Sequence, residues 1–169
     1  ETLKQSPSKT LIIVGAGTGG TAAAIQAARM GVEVHLLSEN PWLGGMLTAA
    51  GVSAIDGNHQ LPSGLWGEFR DKLYQHYGGP KAVATGWVSN THFEPKVGDS
   101  ILKTMAQHPQ LNIHYNTEFK GITRRENVWE INFVSEGKIT SLRGTVVIDA
   151  TENGDLLPLV GAAFKVGMD

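Results

Sequence analysis

The chain has 169 residues, of which 41% are hydrophobic and 18% are charged, and this is typical of one soluble α/β domain with a sizeable core. Its net charge of −2 gives no electrostatic basis for binding nucleic acid or an anionic membrane, and no apolar run approaches the roughly 20 residues of a membrane span. Cysteine is absent, which excludes disulfides, thiolate metal sites and dithiol redox centres.

The N-terminal segment, residues 1–9, is polar, and we expect it to be a disordered lead-in. The first residue is Glu1 and not Met. Two explanations are open: a trimmed chain, or a mature N-terminus left when a signal or transit segment is removed on export. The compartment is therefore not fixed, and we expect residues 10–169 to form one domain.

The domain begins with a strand, a helix and a second strand. These are predicted over Thr10–Val14, Thr18–Met30 and Val32–Leu37, because two β-branched and aliphatic runs flank an alanine-rich segment that ends at Gly31. One strand–helix–strand unit of this kind implies a parallel sheet with a right-handed crossover.

A glycine-rich turn, Gly15-Ala16-Gly17-Thr18-Gly19-Gly20, joins the first strand to the helix and fits the pattern G-x-G-x-x-G. Gly15 permits a tight turn, Gly17 lets a pyrophosphate approach the backbone, and Gly20 lets the helix pack closely on the strand. Free N–H groups and the helix dipole at this end favour negatively charged phosphates. The turn therefore predicts dinucleotide binding.

An acidic residue supports this interpretation. Glu39 follows the second strand, 19 residues after Gly20, where a carboxylate accepts hydrogen bonds from a ribose. The alternative is a solvated acid in a loop. The unit on its own does not separate FAD from NAD.

The middle of the chain is predicted to be a loop followed by two helices and a strand. The loop covers Asn40–Gly64, the helices cover Leu65–Tyr77 and Pro95–Gln107, and the strand covers Leu111–Tyr115. Gly78, Gly79 and Pro80 are expected to stop the first of these helices.

In the last third of the chain, the pattern of apolar and polar residues changes to that of short strands separated by polar turns. Three short strands over Glu118–Arg124, Val128–Val134 and Lys138–Arg143 predict an antiparallel meander. Thr145–Ile148 is fully apolar and is expected to be a buried strand of the parallel sheet. A short helix is expected over Gly154–Val160.

Two segments carry a family resemblance. The first reads Ser38-Glu39-Asn40-Pro41-Trp42-Leu43-Gly44-Gly45-Met46-Leu47-Thr48. It resembles the segment after the second strand in FAD-dependent oxidoreductases of the glutathione-reductase-like, two-dinucleotide-binding superfamily. There, a Gly-Gly pair approaches the pyrophosphate and the flavin. The second segment resembles the Ala-Thr-Gly strand end that passes near the FAD in that family, and it reads Val146-Val147-Ile148-Asp149-Ala150-Thr151. Glu152 stands where that family usually has Gly.

The glycine pair also has a physical interpretation. Gly44 and Gly45 remove side chains where a bulky cofactor would lie. The alternative is a surface loop that needs two flexible residues.

The resemblance implies a Rossmann-like parallel sheet FAD-binding domain with an antiparallel three-stranded β-meander. It implies that a small organic substrate transfers hydride to flavin N5. The implied cofactor-binding residues are Gly15, Ala16, Gly17, Thr18, Gly19, Gly20, Ser38, Glu39, Asn40, Trp42, Gly44, Gly45, Met46, Phe119, Ala150 and Thr151.

Members of that family are longer than this chain. We therefore expect a second polypeptide chain, or the rest of this one, to complete the flavin site and the substrate domain. Two alternatives stay open: an NAD(P)-dependent dehydrogenase built on the same unit, and a non-catalytic dinucleotide-binding subunit.

Catalytic candidates lie in loops downstream of the glycine pair. Asp56, His59 and His92 could reach the reactive side of the flavin, where a histidine moves a proton near neutral pH or attaches the flavin covalently. The alternative for each is an ordinary surface residue. The sequence contains neither H-E-x-x-H nor G-x-S-x-G, so metal and hydrolase sites have no support. The remaining histidines are interpreted as strand or helix residues of no special role: His35, His76, His108 and His114.

Overall fold

A computed structural model describes residues 9–86 and 89–167. The expected disordered lead-in lies outside the described residues except for Lys9. The described part contains four helices and seven strands. The helices are α1 (Thr18–Arg29), α2 (Gly64–Tyr77), α3 (Pro80–Val83) and α4 (Pro95–Met105). The strands are β1 (Thr10–Val14), β2 (Glu33–Leu37), β3 (Leu111–His114), β4 (Thr117–Arg125), β5 (Val128–Ser135), β6 (Lys138–Gly144) and β7 (Val146–Asp149).

The strands form two sheets. The order β3-β2-β1-β7 makes a four-stranded sheet in which every pairing is parallel, and β4-β5-β6 makes an antiparallel meander. The predicted α/β fold class is confirmed: a Rossmann-like parallel sheet accompanied by an antiparallel three-stranded meander.

Strand β1 lies inside the parallel sheet, and all five of its residues are buried. Because successive side chains of a strand point to opposite faces, Leu11 and Ile13 belong to the core under the helices, whereas Ile12 and Val14 pack toward the meander with Phe133. This alternation holds the helical layer, the parallel sheet and the meander together in that order.

Two expectations about individual elements are wrong. Strand β7 is not buried, since it pairs with β1 at the edge of the described sheet and Val146 is 53% exposed. The expected C-terminal helix is only a 3-10 turn at Pro158–Val160, because Pro158 has no N–H to donate to the Gly154 carbonyl, and the bonds from Leu157 to Gly154 and from Leu159 to Leu156 each span three residues. The expected end of α2 is confirmed, since the helix stops at Tyr77 and Gly78 follows in the left-handed region. Pro80 then occupies the first turn of the short helix α3, where its missing N–H costs nothing.

The parallel direction of the sheet locates the functional edge. The carboxyl ends of β1, β2 and β7 meet at one edge, so the glycine-rich turn, the loop from Ser38 and the turn from Ala150 come together there. Open α/β sheets bind their ligands at such an edge.

Candidate functional site

A cleft of about 350 Å3 lies at the carboxyl edge of the parallel sheet. Its walls are the glycine-rich turn after β1, the loop after β2 and the turn after β7. Its lining residues are Gly15, Ala16, Gly17, Ser38, Glu39, Asn40, Trp42, Gly45, Met46, Ala49, Ala50, Ala150, Thr151 and Glu152. Most of the predicted cofactor-binding residues thus line one cleft, and the sequence analysis missed Ala49, Ala50 and Glu152 as part of it.

The glycine-rich turn is held against the end of β7. Gly15 has a φ of +105°, and a Cβ atom there would lie 2.3 Å from the carbonyl oxygen of Ala150. A Cβ atom on Gly20 would lie 2.0 Å from the carbonyl oxygen of Gly15. These contacts agree with the roles predicted for both residues, a tight turn and close packing of α1 on the sheet.

The start of α1 is suited to an anion. Gly17 precedes the helix, and no side chain caps its first turn, so N–H groups at this end have no side-chain acceptor. The helix dipole adds positive potential there. The cleft therefore fits a pyrophosphate, because Gly17 lines it without a side chain and the N–H donors at the start of α1 lack a side-chain cap.

The glycine pair of the second loop packs directly on this turn. The Gly44 N–H donates to the Ala16 carbonyl at 2.9 Å, and the Thr18 hydroxyl donates to the Gly44 carbonyl at 2.9 Å. A Cβ atom on Gly44 would lie 2.5 Å from Leu102 Cδ1, and one on Gly45 would lie 2.8 Å from Gly17 Cα. The pair is thus required by contacts within the protein. That it also clears space for a cofactor stays a prediction.

The loop after β2 is shaped by short-range hydrogen bonds. The buried Ser38 hydroxyl donates to the carbonyl oxygens of Asn40, at 2.7 Å, and Trp42, at 3.2 Å. The Asn40 side chain accepts from the Trp42 N–H at 2.9 Å. Glu39 is exposed between them and lines the cleft, so its carboxylate is accessible to a ligand's hydroxyl groups.

The turn after β7 is organised by one carboxylate. Asp149 accepts hydrogen bonds from the Thr151 N–H at 3.1 Å, the Thr151 hydroxyl at 2.7 Å and the Leu156 N–H at 2.9 Å. The exposed Glu152 follows, and its Oε1 lies 3.2 Å from where a Cβ of Gly17 would be. The residue that departs from the family pattern therefore places a carboxylate beside the glycine-rich turn.

Five predicted binding residues do not line the cleft. Gly20 and Gly44 form contacts behind its wall, as described above. Phe119 packs beside the buried cluster that contains Ile131 and Phe133. The other two are Thr18 and Gly19, of which Thr18 lines a second cavity.

This second cavity, of about 480 Å3, is apolar and lies between α1, α2 and α4. Its lining residues are Thr18, Ala22, Ile25, Leu47, Ala54, Ile55, Asp56, Leu65, Trp66, Phe69, Leu102 and Met105. Gly17 and Met46 line the first cleft while their neighbours Thr18 and Leu47 line this one, so the two spaces share a thin wall. The glycine turn and the strand ends surround the first cleft and not the larger cavity.

The three catalytic candidates are not brought together at the cleft. Asp56 is exposed and lines the apolar cavity. His59 is half-buried, and its carbonyl accepts from the Arg70 guanidinium at 2.9 Å. His92 is exposed, and its N–H donates to the Val83 carbonyl. Their catalytic roles stay predictions.

A histidine pair was missed by the sequence analysis. His35 Nδ1 and His114 Nε2 are 2.9 Å apart, their rings stack at 5.2 Å, and His114 also contacts the ring of Phe133. Burial lowers the pKa of His35, although Glu33 opposes this, and burial and His35 both lower the pKa of His114. The two rings join β2 to β3 beneath the meander, a contact between residues 79 positions apart.

Neither a metal site nor a membrane-spanning helix is present within residues 9–86 and 89–167. No group of three or more histidine, aspartate and glutamate side chains there could hold a metal ion. In the same residues, no helix is long and apolar enough to cross a membrane.

Comparison with known protein families gives one match over nearly the whole chain. The model described as FAD dependent oxidoreductase matches residues 10–169. Among curated proteins, sarcosine oxidase subunit alpha from Corynebacterium sp. (strain U-96) is 49% identical over 47 residues, which are 28% of this chain and 5% of that protein. The chain therefore spans about a twentieth of that relative's length.

Solved structures share the fold. A flavoprotein/dehydrogenase from Cytophaga hutchinsonii superposes with a TM-score of 0.67 and 14% identity over 95% of this chain and 44% of that one. Anhydrotetracycline hydroxylase OxyS from Streptomyces rimosus superposes with a TM-score of 0.64 and 12% identity, over 95% of this chain and 35% of that one. The p-nitrophenol 4-monooxygenase from Pseudomonas putida DLL-E4 superposes with a TM-score of 0.59 and 17% identity, over 93% of this chain and 44% of that one. This chain covers less than half of each.

Proposed function

The chain belongs to the FAD dependent oxidoreductase family, and on that premise we propose that the cleft at the carboxyl edge holds the FAD of an enzyme that oxidises a small organic molecule. Membership confirms the predicted family and its cofactor and disfavours the NAD(P)-dependent alternative. The observation that supports the assignment to this cleft is the start of α1 at Gly17, which lines the cleft and has no side-chain cap.

Each wall of the cleft has a part in binding. The backbone N–H groups at Gly17 and the first turn of α1 bind the pyrophosphate through hydrogen bonds and the helix dipole. The exposed carboxylate of Glu39 accepts hydrogen bonds from ribose hydroxyl groups. The turn at Ala150 and Thr151 closes the opposite side, fixed in place by Asp149.

The chemistry of the reaction belongs to the cofactor. A bound FAD would supply the hydride acceptor, at its N5 atom. The chain's own residues hold and orient it: the Gly44-Gly45 loop is fastened to the glycine-rich turn by two hydrogen bonds of 2.9 Å. Asp56, His59 and His92 remain the candidates for moving a proton, with Asp56 placed on the neighbouring cavity.

We further propose that more polypeptide completes the flavin site and the substrate domain. The chain spans 33–44% of the fold relatives with the better superpositions. The curated relative is itself a subunit by name. The open cleft supports the proposal, as does the exposed outer edge of β7, where Val146 is 53% exposed. Whether that polypeptide is the rest of this chain or a second chain is decided by comparing the mass of the native assembly with the masses of its denatured chains.

The assignment of the cleft is tested by Glu39→Gln. Loss of the charged acceptor is expected to raise the dissociation constant of FAD by about 10- to 100-fold, since hydrogen bonds to charged groups contribute roughly 1.5–3 kcal/mol. The melting temperature of the cofactor-free protein is expected to stay unchanged because Glu39 is exposed. The matched control is Glu136→Gln, the same change in the exposed turn between β5 and β6. Equal FAD affinity in both variants would contradict the assignment.

A further inference from the structure

Asp99 on α4 is an unusual residue in this molecule. Among the described residues it is the one ionisable residue classed as buried, with 8% of its surface exposed. A buried carboxylate destabilises a fold unless charged and hydrogen-bonding partners compensate it. Burying the Asp99 carboxylate removes it from water, so its hydrogen-bonding and charged partners must compensate the lost solvation.

Its partners lie in the loop after β2. Asp99 Oδ1 accepts from the Leu43 N–H at 2.9 Å, and Oδ2 accepts from Lys103 Nζ at 2.7 Å. The same Lys103 ammonium donates to the Pro41 carbonyl at 2.6 Å and lies 5.4 Å from the centre of the Tyr115 ring. The pair thus binds the loop at Pro41 and at Leu43, across 56 and 62 positions of sequence.

The bound segment leads directly into the glycine pair. Leu102, which lies between the two charged residues on α4, contacts the space where a Cβ of Gly44 would be, at 2.5 Å. On its other side Gly44 donates to Ala16 of the glycine-rich turn. The position of the loop relative to that turn is therefore set from behind by α4, and the loop forms one wall of the cleft.

We propose that Asp99 and Lys103 are positioning residues for the cofactor, and this inference rests on the proposed function. Neither lines the cleft. They act through the backbone of Pro41 and Leu43, which fixes the distance between Gly44-Gly45 and the phosphate-binding turn and so sets how tightly FAD is held.

A neighbouring ion pair supplies a matched control. Arg29 and Glu68 join α1 to α2 with a guanidinium–carboxylate contact of 2.6 Å, and both side chains are about one-third exposed. Their contact touches neither the loop after β2 nor the cleft. If the Asp99–Lys103 pair were only structural, its loss would lower FAD affinity only in proportion to the fall in melting temperature, as for the loss of the Arg29–Glu68 pair.

The test compares Asp99→Ala, Asp99→Asn, Lys103→Met and Glu68→Gln in the intact native assembly. The dissociation constant and release rate of FAD, the visible absorption of the bound flavin and the melting temperature are measured for each. Asp99→Ala is expected to weaken FAD binding about 10- to 100-fold and to shift the flavin absorption. Asp99→Asn keeps an acceptor for Leu43 and is expected to fall between it and the wild type. Glu68→Gln is expected to stay within about twofold.

A second readout needs no cofactor. Amide hydrogen exchange in residues 41–47 of the cofactor-free protein is expected to accelerate in Asp99→Ala and in Lys103→Met, but not in Glu68→Gln. If Asp99→Ala does not fold, Lys103→Met serves in its place, since Lys103 lies partly in solvent.

The outcomes separate the two proposals. FAD binding within twofold of the wild type in Asp99→Ala and Lys103→Met, or unchanged exchange in residues 41–47, would overturn the positioning role. A wild-type assembly that binds no FAD, with exchange accelerated in both variants, would instead overturn the proposed function.

Discussion

Two adjacent glycines of the same motif lie in different surroundings. A Cβ atom on Gly20 would lie 2.0 Å from the carbonyl oxygen of Gly15, whereas a Cβ atom on Gly19 would meet nothing within 4 Å. Both residues belong to α1. The motif therefore contains one glycine required by packing and one that packing does not require.

Alanine at the two positions is expected to act in opposite directions. Gly20→Ala should lower the free energy of unfolding by about 1–3 kcal/mol or more, because it overpacks the contact between α1 and the end of β1. Gly19→Ala should raise it by up to about 1 kcal/mol, because alanine favours the helix. Urea denaturation measures both. Equal losses in the two variants would show that the close approach at Gly20 is not what the motif requires.

The histidine pair makes stability depend on pH. Burial holds the pKa of His35 and His114 below the usual 6.5 in the folded protein, so the unfolded chain takes up protons first as the pH falls. The stability that the neutral pair contributes is therefore fully present above about pH 6.5. It is lost as the pH falls from there through the lowered pKa values.

The variant His114→Gln removes one titrating ring and keeps a hydrogen-bonding group beside His35. We expect the melting temperature of this variant to fall less steeply than that of the wild type between pH 7 and pH 5. Comparison of the two proteins at pH 8, where the rings are neutral, gives the packing difference to subtract. A steeper fall in the variant would mean that the pair is stabilised by protonation.

At the scale of elements, the sequence predicted β1 to the residue, and the other strands of the meander and the sheet to within one or two residues. Alternation of apolar and polar residues, and apolar runs bounded by glycine, can be recognised within a few residues of sequence. The bounds of these strands could therefore be predicted. The apolar run at β7 did not imply burial, because burial depends on which strand lies beside it. The 3-10 turn at Pro158–Val160 has a local cause that the prediction overlooked, since Pro158 lacks the N–H that would continue an α-helix from Gly154.

In the candidate site, too, features set by neighbouring residues could be predicted, and contacts between residues distant in sequence could not. The position of the cleft follows from the strand–helix–strand unit and the parallel sheet, both evident in the sequence. Asp99 could not be predicted, because its partner Leu43 lies 56 residues away and the contact uses a backbone N–H that carries no sequence signal. Phe119 does not line the cleft, and its side chain packs beside the buried cluster that contains Ile131 and Phe133. Its part in cofactor binding stays a prediction.

The turn after β7 depends on Asp149. Three donors converge on its carboxylate, so Asp149→Ala is expected to lower the free energy of unfolding by at least roughly 1.5–3 kcal/mol, the value for a hydrogen bond to a charged group. FAD affinity is expected to fall as the wall at Ala150 and Thr151 loses its shape. Denaturation and FAD titration measure the two effects. The control is Asp155→Ala in the same turn, and equal losses in both variants would assign the effect to the turn in general.

At the scale of the whole molecule, three layers converge on one edge. The helices, the parallel sheet and the meander are joined through the alternating side chains of β1, and the cleft opens where the strands of the parallel sheet end. The chain holds the dinucleotide-binding elements of its family but covers less than half of its solved fold relatives. Cofactor binding is thus the property that this chain should show most directly.

The central claim is that the cleft binds FAD, and the first measurement is a visible absorption spectrum of the native, unfractionated protein, repeated on the supernatant after denaturation. We predict two flavin bands in the native sample. Their release into the supernatant would identify non-covalent FAD, and their retention on protein would direct attention to His59, His92 or the additional polypeptide. A colourless native assembly that does not take up added FAD, yet binds a nicotinamide dinucleotide, would contradict the account.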